Sequence, residues 1–209
     1  MSLTKELKEE REEFHLYGAT VIKNIVSKDL CEFLYSYLCM QKELKQLQNS
    51  FFDLGDDQVP DAQVCVTKDA CLESIYSPVL PIMEKVTGQG LFPTYCYARI
   101  YQKGNILHKH TDRESCEVSL SLKLFESNDQ EYNWPIWAGG KCFHLEQGDA
   151  LLYKGCDIPH WREKCEGGEQ YALGQLFVHS VRKKGRYANF AYDKDDVRKR
   201  ILAKTVKGY

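Results

Sequence analysis

No run of about 18 consecutive apolar residues occurs anywhere in the chain, so the sequence offers no helix able to cross a bilayer. The N-terminal stretch MSLTKELKEEREEF lacks the apolar core of a secretory signal, and the expectation is a cytoplasmic protein. CxxC and CxxH pairs are missing too. The nine cysteines (Cys31, Cys39, Cys65, Cys71, Cys96, Cys116, Cys142, Cys156 and Cys165) are odd in number and scattered. A disulfide scaffold uses even, close-set cysteines in a secreted chain, and a structural zinc site uses paired ones. Reduced thiols packed as small hydrophobes are therefore expected. Internal repeats and low-complexity tracts are absent. A strong net charge is also absent, at −2, but the charge is uneven. Residues 182–209 hold ten Lys/Arg and three Asp/Glu, so +7, which leaves −9 for the rest. This basic tail carries few aromatics and no nucleic-acid motif, and it reads as a solvated terminal helix.

What is present is ordinary globular material: 43% hydrophobic and 28% charged residues over 209 positions. That excludes collagen-like, mucin-like and wholly disordered chains and fits one domain with a short appendage. Leu3 to Phe14 alternates Glu with Lys/Arg, which predicts an exposed helix. Gly18 to Val26 turns β-branched and reads as a strand. Ser27 suits the N-cap of a helix running to about Leu47. Asp53 to Asp61 reads as a loop. A helix from near Lys68 places Leu72, Ile75, Val79, Met83 and Val86 on one side, with Pro78 and Pro81 as candidate breaks. After Gly90, short strand-like runs follow at Tyr95–Gln102, Val118–Phe125, Lys141–Leu145, Ala150–Tyr153, His160–Glu163 and Tyr171–Ser180, separated by Gly-rich turns. Helices first and antiparallel strands after predict an α+β protein built on a sheet sandwich or barrel.

The stretch that carries chemistry is His108-Lys-His110-Thr-Asp112. On a strand, residues i and i+2 share a face, so His110 and Asp112 can address one atom. His160 lies 50 residues after His110, at the start of another expected strand. Two imidazoles and one carboxylate leave three positions open on an octahedral metal, as in the facial triad of non-haem iron sites. His108-Lys-His110 is also an HxH, which leaves His108 as an alternative ligand.

Around these residues the chain resembles the 2-oxoglutarate- and Fe(II)-dependent dioxygenases, in particular the prolyl 4-hydroxylase-like branch. Tyr101 stands nine residues before His110, then comes the HxD. Gly139-Gly140-Lys-Cys-Phe143 leads into Gln147-Gly148-Asp149-Ala-Leu-Leu-Tyr153, and His160 follows after a short turn. The likeness covers roughly Tyr95 to Ser180. It implies a double-stranded β-helix (jelly-roll, cupin-like) core at 91–181 braced by a helical part at 1–90, a single domain over 1–181, and a basic helical extension at 182–209. It also implies His110, Asp112 and His160 as metal ligands and catalytic centre, with Fe(II) as metal, 2-oxoglutarate as cosubstrate and Tyr101 in its pocket. The activity implied is hydroxylation of an unactivated C–H bond by dioxygen, with succinate and CO2 as coproducts. A prolyl or other amino-acid-type group, free or in a peptide, is the implied substrate.

One position departs from the family pattern. Many members place Arg or Lys about ten residues after the distal histidine to grip the cosubstrate's C5 carboxylate; here that residue is Gln170. A dianion in a dry pocket calls for a cation, ideally the planar fork of Arg. Arg162, two residues after His160, and Lys123, on the polar face of Val118–Leu124, are the leading candidates, ahead of Arg99. Without such a cation the alternatives are a cupin-like metal-binding protein with no 2-oxoglutarate turnover, or a jelly roll with no metal. A nucleic-acid demethylase of the same fold is disfavoured, because its paired arginines after the distal histidine are missing and the core of the chain is acidic. Arg113 and Glu117 read as substrate contacts or as partners of each other. His144 and His179 read as structural, with His179 able to flank the pocket. The segment Asn128 to Trp137 reads as a long binding loop or a packed crossover.

Overall fold

The structure, a computed structural model, describes residues 3–47, 58–59, 63–127 and 132–206. Helix α1 (Leu3–Tyr17) buries Phe14 and stops where Gly18, at φ +77°, takes the left-handed turn. Strand β1 (Ala19–Ile22) is shorter than its β-branched sequence suggests. Asn24 turns at φ +48°, and Asp149 holds the turn by accepting from Asn24 N (2.9 Å) and Lys23 Nζ (2.7 Å). Helix α2 (Lys28–Leu47) starts on Ser27, whose Oγ accepts from Leu30 N. Strand β2 (Gln63–Thr67) follows, a strand that the sequence did not announce. The expected loop at 53–61 lies outside the described residues apart from Gln58 and Val59.

The amphipathic run from Lys68 splits into α3 (Ala70–Glu73), capped by Asp69, and α4 (Tyr76–Thr87). The break falls before Pro78 and not at it. In a continuous helix the Pro78 ring would meet the carbonyl of Ser74 four residues back, so the chain restarts between them. Pro81 stays inside α4, and Leu72, Ile75, Val79, Met83 and Val86 are all buried as their spacing requires.

The remaining strands are β3 (Leu91–Gln102), β4 (Leu107–His110), β5 (Val118–Glu126), β6 (Ile136–Ala138), β7 (Lys141–Phe143), β8 (Ala150–Tyr153), β9 (His160–Arg162) and β10 (Ala172–Arg182). Strand β6 occupies the end of the stretch read as a loop, of which 128–131 lie outside the described residues. Every strand pair is antiparallel. One sheet runs β1-β8-β5-β10-β3-β2 and the other β4-β9-β6-β7. Two facing antiparallel sheets with helices on one outer face make an α+β double-stranded β-helix.

The alternation on β5 sorts its side chains. Val118, Leu120, Leu122 and Leu124 join the core under the helices with Leu34, Leu38, Leu80 and Met83. Each fully buried leucine contributes about 1.5–3 kcal/mol by leaving water. Ser119, Ser121 and Lys123 take the opposite, inner face. Register carries that face across the sheet: Ser119 pairs with His179, Lys123 with Gln175, and on the far side Gln175 with Arg99 and Leu173 with Tyr101. A polar interior between two sheets is costly unless its groups are partnered, and that interior is where the motif residues gather.

The basic tail forms a 3-10 segment (Ala188–Lys194) and helix α5 (Asp196–Thr205). It is not wholly solvated. Arg198 is buried, pairs with Glu73 at 2.9 Å and donates to Thr94 O at 3.0 Å.

Candidate active site

Strand β4 ends at His110 and β9 begins at His160, and the two residues are register partners. Their rings lie 4.2 Å apart. Asp112 stands beyond the end of β4, so strand alternation is not what aims it. Its backbone N–H donates to Gly155 O at 2.8 Å and curls the chain back towards the histidines. Gly155 is indispensable there, since a Cβ would come within 2.2 Å of Cys116 O and 2.4 Å of Asp112 Oδ2.

The three side chains converge on one point. Asp112 Oδ1 lies 3.7 Å from His110 Nε2 and 3.5 Å from His160 Nε2. His110 Nδ1–H donates to His108 O (2.7 Å), and His160 Nδ1–H donates to Ile158 O (3.0 Å). A carbonyl can only accept, so each neutral ring carries its proton on Nδ1 and turns the Nε2 lone pair inward. Metal-binding imidazoles are fixed in this way. His108 is exposed and contributes only its carbonyl.

The carboxylate is held ionised. Burial raises the Asp112 pKa, but the His160 and His179 imidazoles and the Ser119 hydroxyl outweigh it and bring it to about 2. Ser119 Oγ donates to Asp112 Oδ2 at 2.8 Å and lies 2.9 Å from His179 Nδ1. His179 is 2% exposed, and burial above all pushes its pKa down to about 4. Asp112, Cys116 and His179 form a second close group sharing the same carboxylate.

Deeper inside, Arg162 shares the face of His160. It is fully enclosed, donates to Trp134 O and to Gln175 Oε1 (3.0 Å), and stacks 4.9 Å from the Trp134 ring. Gln175 in turn donates to Ser121 Oγ at 2.8 Å. Burial lowers the Arg162 pKa, and nearby Tyr101, Tyr171 and Glu126 only partly oppose it; among the described residues no carboxylate is bonded to the guanidinium. The Tyr101 hydroxyl is buried with no hydrogen-bond partner among the described residues. Arg99 is 1% exposed, its guanidinium 5.5 Å from the Tyr97 ring and 5.7 Å from that of Tyr101.

Lys123 does face inward, but its ammonium is taken by Glu126, Leu145 O and Asn133. Arg113 and Glu117 do not pair with each other. Glu117 holds Arg182, while Arg113 lies over the Tyr95 ring and pairs with Asp193 at 3.1 Å. The sequence showed Ser119 and Ser121 on the polar face of their strand, yet nothing in it linked Ser119 to Asp112 or Gln175 to Arg162. Those links are made across strands.

No family model matches the sequence, and no curated protein matches it. The fold has relatives among solved structures. A prolyl-4-hydroxylase from Pseudomonas putida superposes with a TM-score of 0.62 at 14% identity, covering 86% of this chain and 100% of that one. EctD from S. alaskensis with bound Fe gives 0.63 at 13%, covering 89% and 78%. HygX from Streptomyces hygroscopicus with nickel and 2-oxoglutarate bound gives 0.56 at 12%, covering 82% and 87%. The chain has the fold of 2-oxoglutarate- and Fe(II)-dependent dioxygenases, prolyl 4-hydroxylases among them.

Proposed function

We propose that this chain is a 2-oxoglutarate- and Fe(II)-dependent oxygenase that hydroxylates an unactivated C–H bond, with His110, Asp112 and His160 as the metal ligands. The observation that carries the reading is the convergence of two Nε2 atoms and one carboxylate oxygen, with both Nδ1–H groups tied to backbone carbonyls. Two nitrogens and one oxygen suit Fe(II) and leave positions for a chelating cosubstrate and dioxygen.

The interior also fits the cosubstrate. The orphaned Tyr101 hydroxyl is a buried donor in need of an acceptor. Arg162 is a buried cation with N–H groups beyond the two already used. It stands two residues from His160, about 6.6 Å along a strand, a distance on the scale of a five-carbon diacid. We assign the distal carboxylate to Arg162 and Tyr101 in preference to Lys123, whose charge Glu126 already matches. With Fe(II) and 2-oxoglutarate held there, dioxygen would be the oxidant: one oxygen atom would go to succinate as 2-oxoglutarate loses CO2, and the other would become the substrate's hydroxyl.

The protein's own part is orientation and exclusion of water. Tyr153 packs 4.6 Å from the His160 ring and fixes its plane. Tyr95, Tyr97 and Phe177 form a stacked aromatic wall next to His179, suited to an apolar ring such as a prolyl side chain. The prior bonds of Arg162 and the uncharged Gln170 favour a second reading, a cupin-like metal-binding protein without turnover.

An anaerobic optical titration separates them. Fe(II) and then 2-oxoglutarate are added to the metal-free protein, with His110→Ala as control. A weak visible charge-transfer band needing both additions, and missing in the control, is the expected result. Metal binding with no band would favour the cupin-like reading, and no metal binding would overturn both.

A further inference from the structure

We propose that Ser119, held in place by His179, confines Asp112 to binding metal through one oxygen and so keeps a third metal position open for dioxygen beside the two that a chelating cosubstrate takes. The proposal rests on the oxygenase reading and assigns a positioning role to two residues outside the triad.

The two oxygens of Asp112 are not equivalent. Oδ1 faces both imidazoles, at 3.7 and 3.5 Å, while Oδ2 meets Ser119 Oγ at 2.8 Å. The protons can be counted. A carboxylate only accepts, so the single hydroxyl hydrogen of Ser119 points at Oδ2. A second acceptor, Cys116 O, lies farther from Ser119 Oγ at 3.1 Å and is uncharged. With its hydrogen committed, Ser119 Oγ can only accept from His179, so Nδ1 of that ring carries the proton, 2.9 Å away. Nε2 then holds the lone pair, and it has no hydrogen-bond partner among the described residues. The chain of donation therefore runs from His179 to Ser119 to Asp112.

The fold fixes this chain at each end. Ser119 and His179 are register partners on β5 and β10. Helix α4 adds a brace, because Tyr76 Oη donates to His179 O at 2.5 Å. Both residues are almost wholly buried. The consequence is coordinative. A carboxylate with both oxygens free can chelate a metal. A chelating Asp112 with two histidines would fill four of six positions, one too many for a two-point cosubstrate plus dioxygen. A hydrogen bond on Oδ2 opposes that.

The test is Ser119→Ala in the full chain, with anaerobic affinities for Fe(II), for 2-oxoglutarate and for nitric oxide, a dioxygen surrogate, measured separately. The expected result is Fe(II) affinity unchanged within about threefold or tighter, 2-oxoglutarate affinity of the Fe(II) form within about threefold, and nitric oxide affinity of the form loaded with both about tenfold weaker, the scale of one hydrogen bond to a charged group. His179→Phe keeps the ring volume, removes the donor, and should weaken nitric oxide binding in the same direction. The double variant should be no worse than Ser119→Ala alone. In the metal-free protein, nitrogen-15 NMR should show His179 in the Nδ1–H form. If Ser119→Ala does not fold, His179→Phe and the NMR measurement decide the matter. Parallel loss of Fe(II) and 2-oxoglutarate binding would mean a merely structural role and overturn the proposal, as would an Nε2–H tautomer. A wild-type charge-transfer band with unaltered nitric oxide affinity in both variants overturns this proposal alone. A wild type with no such band overturns the oxygenase reading and the proposal with it.

Discussion

Replacing Arg162 by Met should abolish tight 2-oxoglutarate binding and leave the fold and Fe(II) binding largely intact. The guanidinium is 3% exposed, and its two hydrogen-bond partners, Trp134 O and Gln175 Oε1, are both neutral. Among the described residues no carboxylate is bonded to this buried cation, which suits a site whose anion arrives with the ligand. Removing it would leave an incoming carboxylate desolvated and unpaired, a loss of about 3–5 kcal/mol, or roughly 150- to 5,000-fold in Kd. Stability should change far less. The lost bond to Trp134 O costs about 1–3 kcal/mol, and relief of the desolvated cation offsets part of it. Lys123→Met should behave in the opposite way. It takes the cation from Glu126, whose side chain is 8% exposed, and leaves that carboxylate to the Trp134 N–H and the Tyr171 hydroxyl; it should cost about 1.5–3 kcal/mol of stability while moving the 2-oxoglutarate Kd less than threefold. Urea unfolding of the metal-free variants and anaerobic titration of the Fe(II) forms read the two quantities separately. An Arg162→Met protein that binds 2-oxoglutarate within threefold of wild type would refute the assignment.

Two further outcomes follow from the local geometry. His179 binds its proton at about pH 4 in the fold against 6.5 unfolded, mainly because it is buried. Its neutral form therefore contributes stability that is whole above pH 6.5 and lost as pH falls towards 4, about 3 kcal/mol in all; the metal-free His179→Phe protein should lose that part of the pH dependence in urea melts, and an unchanged slope would contradict it. Gly148→Ala should destabilise by at least about 2 kcal/mol through backbone strain alone, since Gly148 sits at φ +88° and a Cβ would come within 2.5 Å of Val26 O. A thermal midpoint equal to wild type would show that the turn leading into Asp149 relaxes freely.

Local pattern carried a good deal of this molecule. Ala150–Tyr153 is a strand with the bounds its residues suggest, and the period-2 alternation of Val118–Leu124 separates a helix-facing apolar row from an inward polar one. The α4 stripe Val79, Met83, Val86 was equally legible, because a helix buries one face at a fixed spacing. Strands β2 and β6 were not. They are short, and each owes its pairing to a neighbour distant in sequence: β2 to β3, and β6 to both β7 and β9.

At the site the division is sharper. The order of Tyr101, His110, Asp112 and His160 is written in the chain, and the residue types of the last three are those a metal site would need. The direction of Asp112 is not, for it depends on a backbone bond to Gly155 across the interior. Lys123 and Arg162 looked alike as cations on inward faces, since sequence shows which side a residue takes but not what stands opposite it. The irregular step in the β5–β10 register at Gly174/Gln175 lets Glu126 meet Lys123 on their own strand, and the packing of one sheet on the other sets the neutral Gln175 against Arg162. The same register placed His179 behind Ser119 and Ser119 behind Asp112. The sequence by itself determined the chemical alphabet and the periodicity, which are local. Only the tertiary structure decided which charges were already neutralised and which proton pointed at the Asp112 carboxylate, because those depend on partners that no local pattern encodes.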